Sequence, residues 1–184
     1  MFCMQERGAP SAAPDAGTLP AWAQQDLKIR SSISAPRNLK PWTFAQRRFT
    51  GINATVRAKA CIDLAVLQYL GVENASRSMK DLDQQTELVS DLFVDISQNP
   101  CRKAFSNQEG CAKCLTTATV LYSCKKDRIV LPLELLMFQG HTKELKIPAE
   151  MSPDAVKCLA GEGIALPYLA TLIVAMVGTG LLAV

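Results

Sequence analysis

From Thr50 onward, Ile52, Val56, Ala60, Leu64, Leu67 and Leu70 recur at three- and four-residue spacing up to Gly71, which predicts an amphipathic helix. A second helix is predicted to open near Ser78 and Asp81, with Leu82, Leu88, Val89, Leu92, Phe93 and Ile96 on one face before Pro100. Residues 72–77 would join the two as an antiparallel hairpin. Stripes of this kind are core-forming, and no chemistry is assigned to them. Farther on, 116–124 and 128–138 are rich in Val, Ile, Leu, Thr and Tyr and flank Lys125, Lys126 and Asp127, so a small β-hairpin is expected, its second strand weakened by Pro132. Ser152, Pro153 and Asp154 read as a helix opening: a capping hydroxyl, a first-turn proline and an acid against the helix dipole. Gly161, Glu162 and Gly163 then break or hinge the chain.

The last stretch is of a different kind. Residues 164–184 carry no ionisable side chain except the phenol of Tyr168. As a helix that run spans about 30 Å, the thickness of a bilayer's hydrocarbon core, so a single transmembrane helix is expected over a buried core helix. Pro167 falls in its first turn, and Tyr168 suits the membrane–water interface. Only Leu181, Leu182, Ala183 and Val184 lie at the far end, the layout of a tail-anchored protein. Thr171, Ala175, Thr179 and Ala183 recur at every fourth position as a stripe of small side chains for packing against another span, although an Ala-rich tail produces such a ladder by composition too. A glycosylphosphatidylinositol signal is disfavoured, because the polar spacer is missing and MFCMQERGAP contains no secretory apolar stretch. The sequons at Asn53 and Asn74 are accordingly expected to stay unused.

Composition changes the picture most in the first third. Residues 1–50 hold Pro10, Pro14, Pro20, Pro36 and Pro41 and no sustained apolar period, so a disordered arm is expected over 1–49, with Trp22 and Trp42 as aromatics able to dock. Between Asp26 and Asp63 there is no acid, while Lys28, Arg30, Arg37, Lys40, Arg47, Arg48, Arg57 and Lys59 supply eight positive charges. A solvated linker, a targeting segment and contact of Lys28, Arg30, Arg37, Lys40, Arg47 and Arg48 with anionic lipid are all compatible with that asymmetry. Nucleic acid is not expected as a partner, because no recognition motif accompanies the charge. The whole chain, 184 residues with 48% hydrophobic residues and a net charge of +3, suits one modest domain with appendages. The expected fold class is mainly α with a small β-hairpin: a basic arm at 1–49, a helical body with a cysteine-containing hairpin at 50–160, and a transmembrane helix at 164–184.

Seven cysteines are many for this length, and Cys101, Cys111, Cys114 and Cys124 form a symmetric Cys-x9-Cys-x2-Cys-x9-Cys pattern. A hairpin folded about Ala112 and Lys113 would oppose them in pairs, compatible with two nested disulfides or a four-cysteine zinc site; free thiols are the alternative in a reducing compartment. The spacing resembles that of the twin Cys-x9-Cys proteins of the mitochondrial intermembrane space, in which two disulfides staple paired helices. That resemblance covers 101–124 alone, and the two-residue connector with Gly110, Thr116, Thr117 and Thr119 departs from it, so the chain is not placed in that family.

His141 is the only histidine, which removes His-rich metal chemistry and offers no nucleophile partner. No phosphate-binding glycine loop, dinucleotide fingerprint or calcium loop is present. The sequence thus points to a non-enzymatic, single-span accessory or assembly subunit, or adaptor, of a membrane complex, in an organellar membrane (mitochondrial, plastid or endoplasmic reticulum) and with other membrane subunits as partners. The competing reading is a membrane-tethered thiol redox or zinc module built on Cys101, Cys111, Cys114 and Cys124.

Overall fold

The computed structural model describes residues 19–45, 47–52, 55–100, 102–106, 110–179 and 181. Among these the chain is mainly helical, with one small antiparallel sheet and an apolar C-terminal helix. In order the elements are α1 (Ala21–Ser32), α2 (Val56–Leu70), α3 (Val72–Ser78), α4 (Leu82–Leu88), β1 (Phe93–Asp95), β2 (Leu121–Ser123), β3 (Arg128–Ile129), α5 (Pro132–Phe138), α6 (Pro153–Glu162) and α7 (Leu166–Gly178).

Side-chain caps mark where several helices start. Thr55 accepts the Ala58 N–H at the head of α2, Asp81 accepts the Asp83 and Gln84 N–H groups at α4, and Ser152 accepts the Ala155 N–H at α6. The sheet runs β1-β2-β3, with Val94 opposite Tyr122 and Tyr122 opposite Ile129. Because side chains alternate along a strand, the sheet faces two cores. Val94 and Tyr122 join Trp42, Phe49, Ile62, Val66 and Phe105 against α2, whereas Leu121 and the partly buried Phe93 turn to the α5–α6 side, where Leu135, Leu136, Val156 and Ala160 pack.

Three expectations need correcting. The second helix does not run on to Ile96; it ends at Leu88, and Phe93 and Val94 lie in β1. Adjacent apolar residues in a short run fit a strand buried on both faces as well as a helical stripe, and only the partner strand decides. Residues 72–77 are not a connector but most of α3. The hairpin forms, but its second strand stops at Ile129, and Pro132 opens α5, where the missing N–H has no bond to lose.

The body also begins earlier than the arm 1–49 predicts. Residues 21–32 form α1, and Trp42 and Phe49 lie in the main core. Carboxylates from elsewhere in the chain hold this segment. Asp63 on α2 accepts the N–H groups of Trp42 and Thr43, each at 2.9 Å, and the Thr43 hydroxyl. Asp127, in the β2–β3 turn, accepts the N–H groups of Arg48 at 2.6 Å and Phe49 at 3.2 Å, as well as the Tyr122 hydroxyl. These bonds fix the backbone at 42–43 and 48–49, while burial of Trp42 and Phe49 in the main core holds the side chains.

Glu134 fastens the hairpin to α5. Its carboxylate takes Arg128 at 2.7 and 2.8 Å, Lys126 at 2.7 Å and the Leu131 N–H at 2.9 Å. The Arg128 hydrogen bonds first, then Lys126 and the Leu131 N–H, hold its pKa down at about 2, against an ordinary 4.5. A carboxyl with a lowered folded pKa adds stability that is complete above its ordinary value and lost as pH falls through the folded one. The contribution should therefore fade between about pH 4.5 and pH 2. Glu134→Gln is expected to cost about 1 kcal/mol at pH 7, modest because solvent screens the partners, and to cost little near pH 2. Urea midpoints of both chains at the two pH values check this.

Candidate functional site

The most distinctive surface is the C-terminal apolar helix and its base. Among the described residues, the stretch Pro153–Gly178 is the one long and apolar enough to cross a membrane, and its apolar window is only 6% buried. Within it, α6 belongs to the body through Val156 and Ala160, and α7 buries no residue at all. Val174 and Val177 on α7 are 71% and 61% exposed. Within this body α7 is therefore not a core helix. Pro167 lies in the first turn of α7, as expected. The regular helix covers 13 residues, fewer than the apolar run 164–184, whose last residues lie largely outside those described.

Of the small-residue stripe, Thr171, Ala175 and Thr179 lie exposed along α7, and Ala183 falls outside the described residues. The Thr171 hydroxyl donates to the Pro167 carbonyl at 2.8 Å, and that of Thr179 to the Ala175 carbonyl at 2.8 Å. Both polar side chains of the stripe are thus satisfied inside the helix, as a hydrocarbon surrounding requires.

Gln139, at the end of α5, sets how α7 leaves the body. Its carbonyl accepts the Leu166 N–H at 2.7 Å, and its buried amide donates to the Ala160 carbonyl at 2.7 Å. One residue thereby holds both sides of the break at 163–165. Gly140 follows with φ +90°, and a Cβ there would stand 2.7 Å from the Pro167 ring, so the position needs glycine twice over. On the other side of α6, Gly161 packs directly on the backbone of Thr116 and Thr117. That turn is closed by the buried Thr119, whose hydroxyl accepts the Thr116 N–H at 2.8 Å.

The cysteines do not form one group. Cys124 is fully buried in the main core, and Cys61 is buried on α2; burial pushes the Cys124 thiol far up and that of Cys61 to about 11, so both stay protonated and inert. Cys111 and Cys114 are exposed, in a segment without regular structure where a fold-back about Ala112 and Lys113 had been expected. Cys101 lies outside the described residues. Cys111, Cys114 and Cys124 are therefore not gathered as a zinc site requires, and among the described residues no three His, Cys, Asp or Glu side chains are so gathered. Cys111 and Cys114 do share a cleft of about 540 Å³ with Leu115, Phe138, Gln139 and Tyr168, at the base of α7.

The basic residues divide. Arg30 is 3% exposed, pairs with Asp26 at 2.9 Å and donates to the Leu39 carbonyl at 2.7 Å, so it is a structural cation and not a lipid contact. Arg47 lies over the Trp42 ring at 3.8 Å and donates to Gln85 and Thr86. Lys28, Arg37, Lys40 and Arg48 remain exposed. Arg37 and Lys40, with Lys59 and Trp22, line a cleft of about 440 Å³ between α1 and α2.

No family model matches the chain, and neither the curated proteins nor the solved structures contain a match to it. Sequence reading did not single out Gln139, Asp63 or Asp127. Asp63 stood out only as the end of an acid-free stretch, and an isolated Gln carries no signal until the chain folds.

Proposed function

We propose that the chain is a non-enzymatic, single-span membrane protein serving as an accessory or assembly subunit, or adaptor, of a complex in an organellar membrane. The observation that carries this reading is α7: an apolar helix that buries none of its residues against the body and closes its own threonine hydroxyls onto its backbone. A helix of that character needs an apolar surrounding, which the body does not supply. The exposed stripe Thr171, Ala175 and Thr179 supports close approach of another span. Lys28, Arg37, Lys40 and Arg48, free of the contacts that occupy Arg30 and Arg47, are the residues available to anionic headgroups.

Alkaline carbonate extraction tests the reading. The full chain is expected in the membrane pellet and a chain ending at Glu162 in the supernatant. Val174→Lys places a charge at the centre of the apolar run, at a cost of about 3 kcal/mol, and should move the full-length chain toward the supernatant. Recovery of the unaltered full chain in the supernatant would sink the proposal.

A further inference from the structure

We propose that Cys111 and Cys114 are a site of S-acylation, taking long-chain acyl groups from an acyl thioester at the membrane surface. The inference rests on the membrane reading of α7 and adds to it a second attachment.

Three observations converge on the pair. First, these two thiols are exposed and free, whereas Cys61 and Cys124 are sealed in the core. Second, they line one cleft with the apolar side chains of Leu115 and Phe138 and the ring of Tyr168, beside Lys113 and Gln139. Tyr168 is 79% exposed in the first turn of α7, the depth at which a spanning helix meets the headgroups. Third, the cleft is fixed against the base of α7: Gln139 bonds Leu166 and Ala160, and Gly161 seats the Thr116–Thr117 backbone. An acyl chain leaving either sulfur would therefore start beside Leu115, Phe138 and Tyr168, at the foot of the apolar helix α7. Cys158 is also exposed, but it lies on α6 outside this cleft.

The step is a transthioesterification. The cysteine thiolate attacks the thioester carbonyl, a new S–C(acyl) bond forms, and the donor's C–S bond breaks. The donor leaves as a thiolate that takes up the proton the cysteine gave. Nothing is oxidised or reduced. Juxtamembrane cysteines undergo this modification reversibly, and a chain at such a position adds to whatever anchor is already present.

The test uses the full chain in cells fed an alkyne-tagged C16 fatty acid. Free thiols are blocked, thioesters are cleaved with neutral hydroxylamine, and the released thiols receive a mass tag. The expected result is alkyne label together with a hydroxylamine-dependent shift of one or two tags, lost in Cys111→Ser/Cys114→Ser and kept in Cys158→Ser. Both sites are exposed, so serine removes no buried contact, and matching thermal melts of the double variant and the unaltered chain exclude misfolding as the cause of loss. A carbonate-resistant chain with no shift, a shift that persists in the double variant, or a pair released only by a disulfide reductant would overturn the inference and leave the membrane reading intact. A chain found in the carbonate supernatant would remove both.

Discussion

Trp42→Ala is expected to lower the unfolding free energy by about 3–5 kcal/mol, the usual cost of truncating a large buried aromatic, out of a total near 5–15 kcal/mol. The indole is fully buried, its ring N–H donates to the Tyr122 hydroxyl at 2.9 Å, and the Arg47 guanidinium lies over it at 3.8 Å. Alanine would open a cavity beside Phe49 and the sheet, take away the Tyr122 donor and leave Arg47 with no ring to cover. Trp42→Phe separates the parts: it keeps most of the ring and loses the N–H, so a smaller loss of about 1–3 kcal/mol is expected. Urea unfolding of the full chain in detergent, followed by circular dichroism, gives both numbers. A change below about 0.5 kcal/mol for the alanine variant would mean that Trp42 does not seal the core.

Gly161→Ala should destabilise the protein, against the direction its helical position predicts. Gly161 lies in the last turn of α6, where propensity favours alanine by less than the about 1 kcal/mol of a helix interior. Here the new Cβ would overlap the Thr116 carbonyl carbon and the Thr117 nitrogen. Both are backbone atoms of a turn tied by Thr119, so no rotamer relieves the contact and the turn must lift from α6. Overpacking of this kind costs about 1–3 kcal/mol and occasionally more, so the net effect is loss. Gly178→Ala is the control, because nothing stands within 4 Å of a Cβ there; its thermal midpoint should stay within a degree or two. A Gly161→Ala chain more stable than the unaltered one would show that the turn yields freely.

How much was legible depended on whether a signal was local. The α2 stripe, the Ser152 cap and the charge-free run 164–184 each lie within a few turns of chain, and each appears in the structure as an element at about the expected place. Leu92, Phe93 and Val94 gave no such guidance, because their period fits either a helix or a strand buried on both faces. Residues 19–49 read as an arm for a related reason: their stabilising partners, Asp63 and Asp127, lie far away in sequence. Likewise, the even spacing of Cys101, Cys111, Cys114 and Cys124 implied a common site. Burial instead sends Cys124 into the core and leaves Cys111 and Cys114 at the base of α7.

By itself, then, the sequence determined that this is a mainly helical chain with a small sheet and an apolar C-terminal helix, because helical period, caps and hydropathy are properties of neighbouring residues. Tertiary structure alone decided that Arg30 and Arg47 are structural, that Gln139 holds the break before α7, and that Gly161 serves contact more than flexibility. Those roles depend on atoms brought within bonding or van der Waals distance from distant points in the chain, a relation that no local pattern encodes.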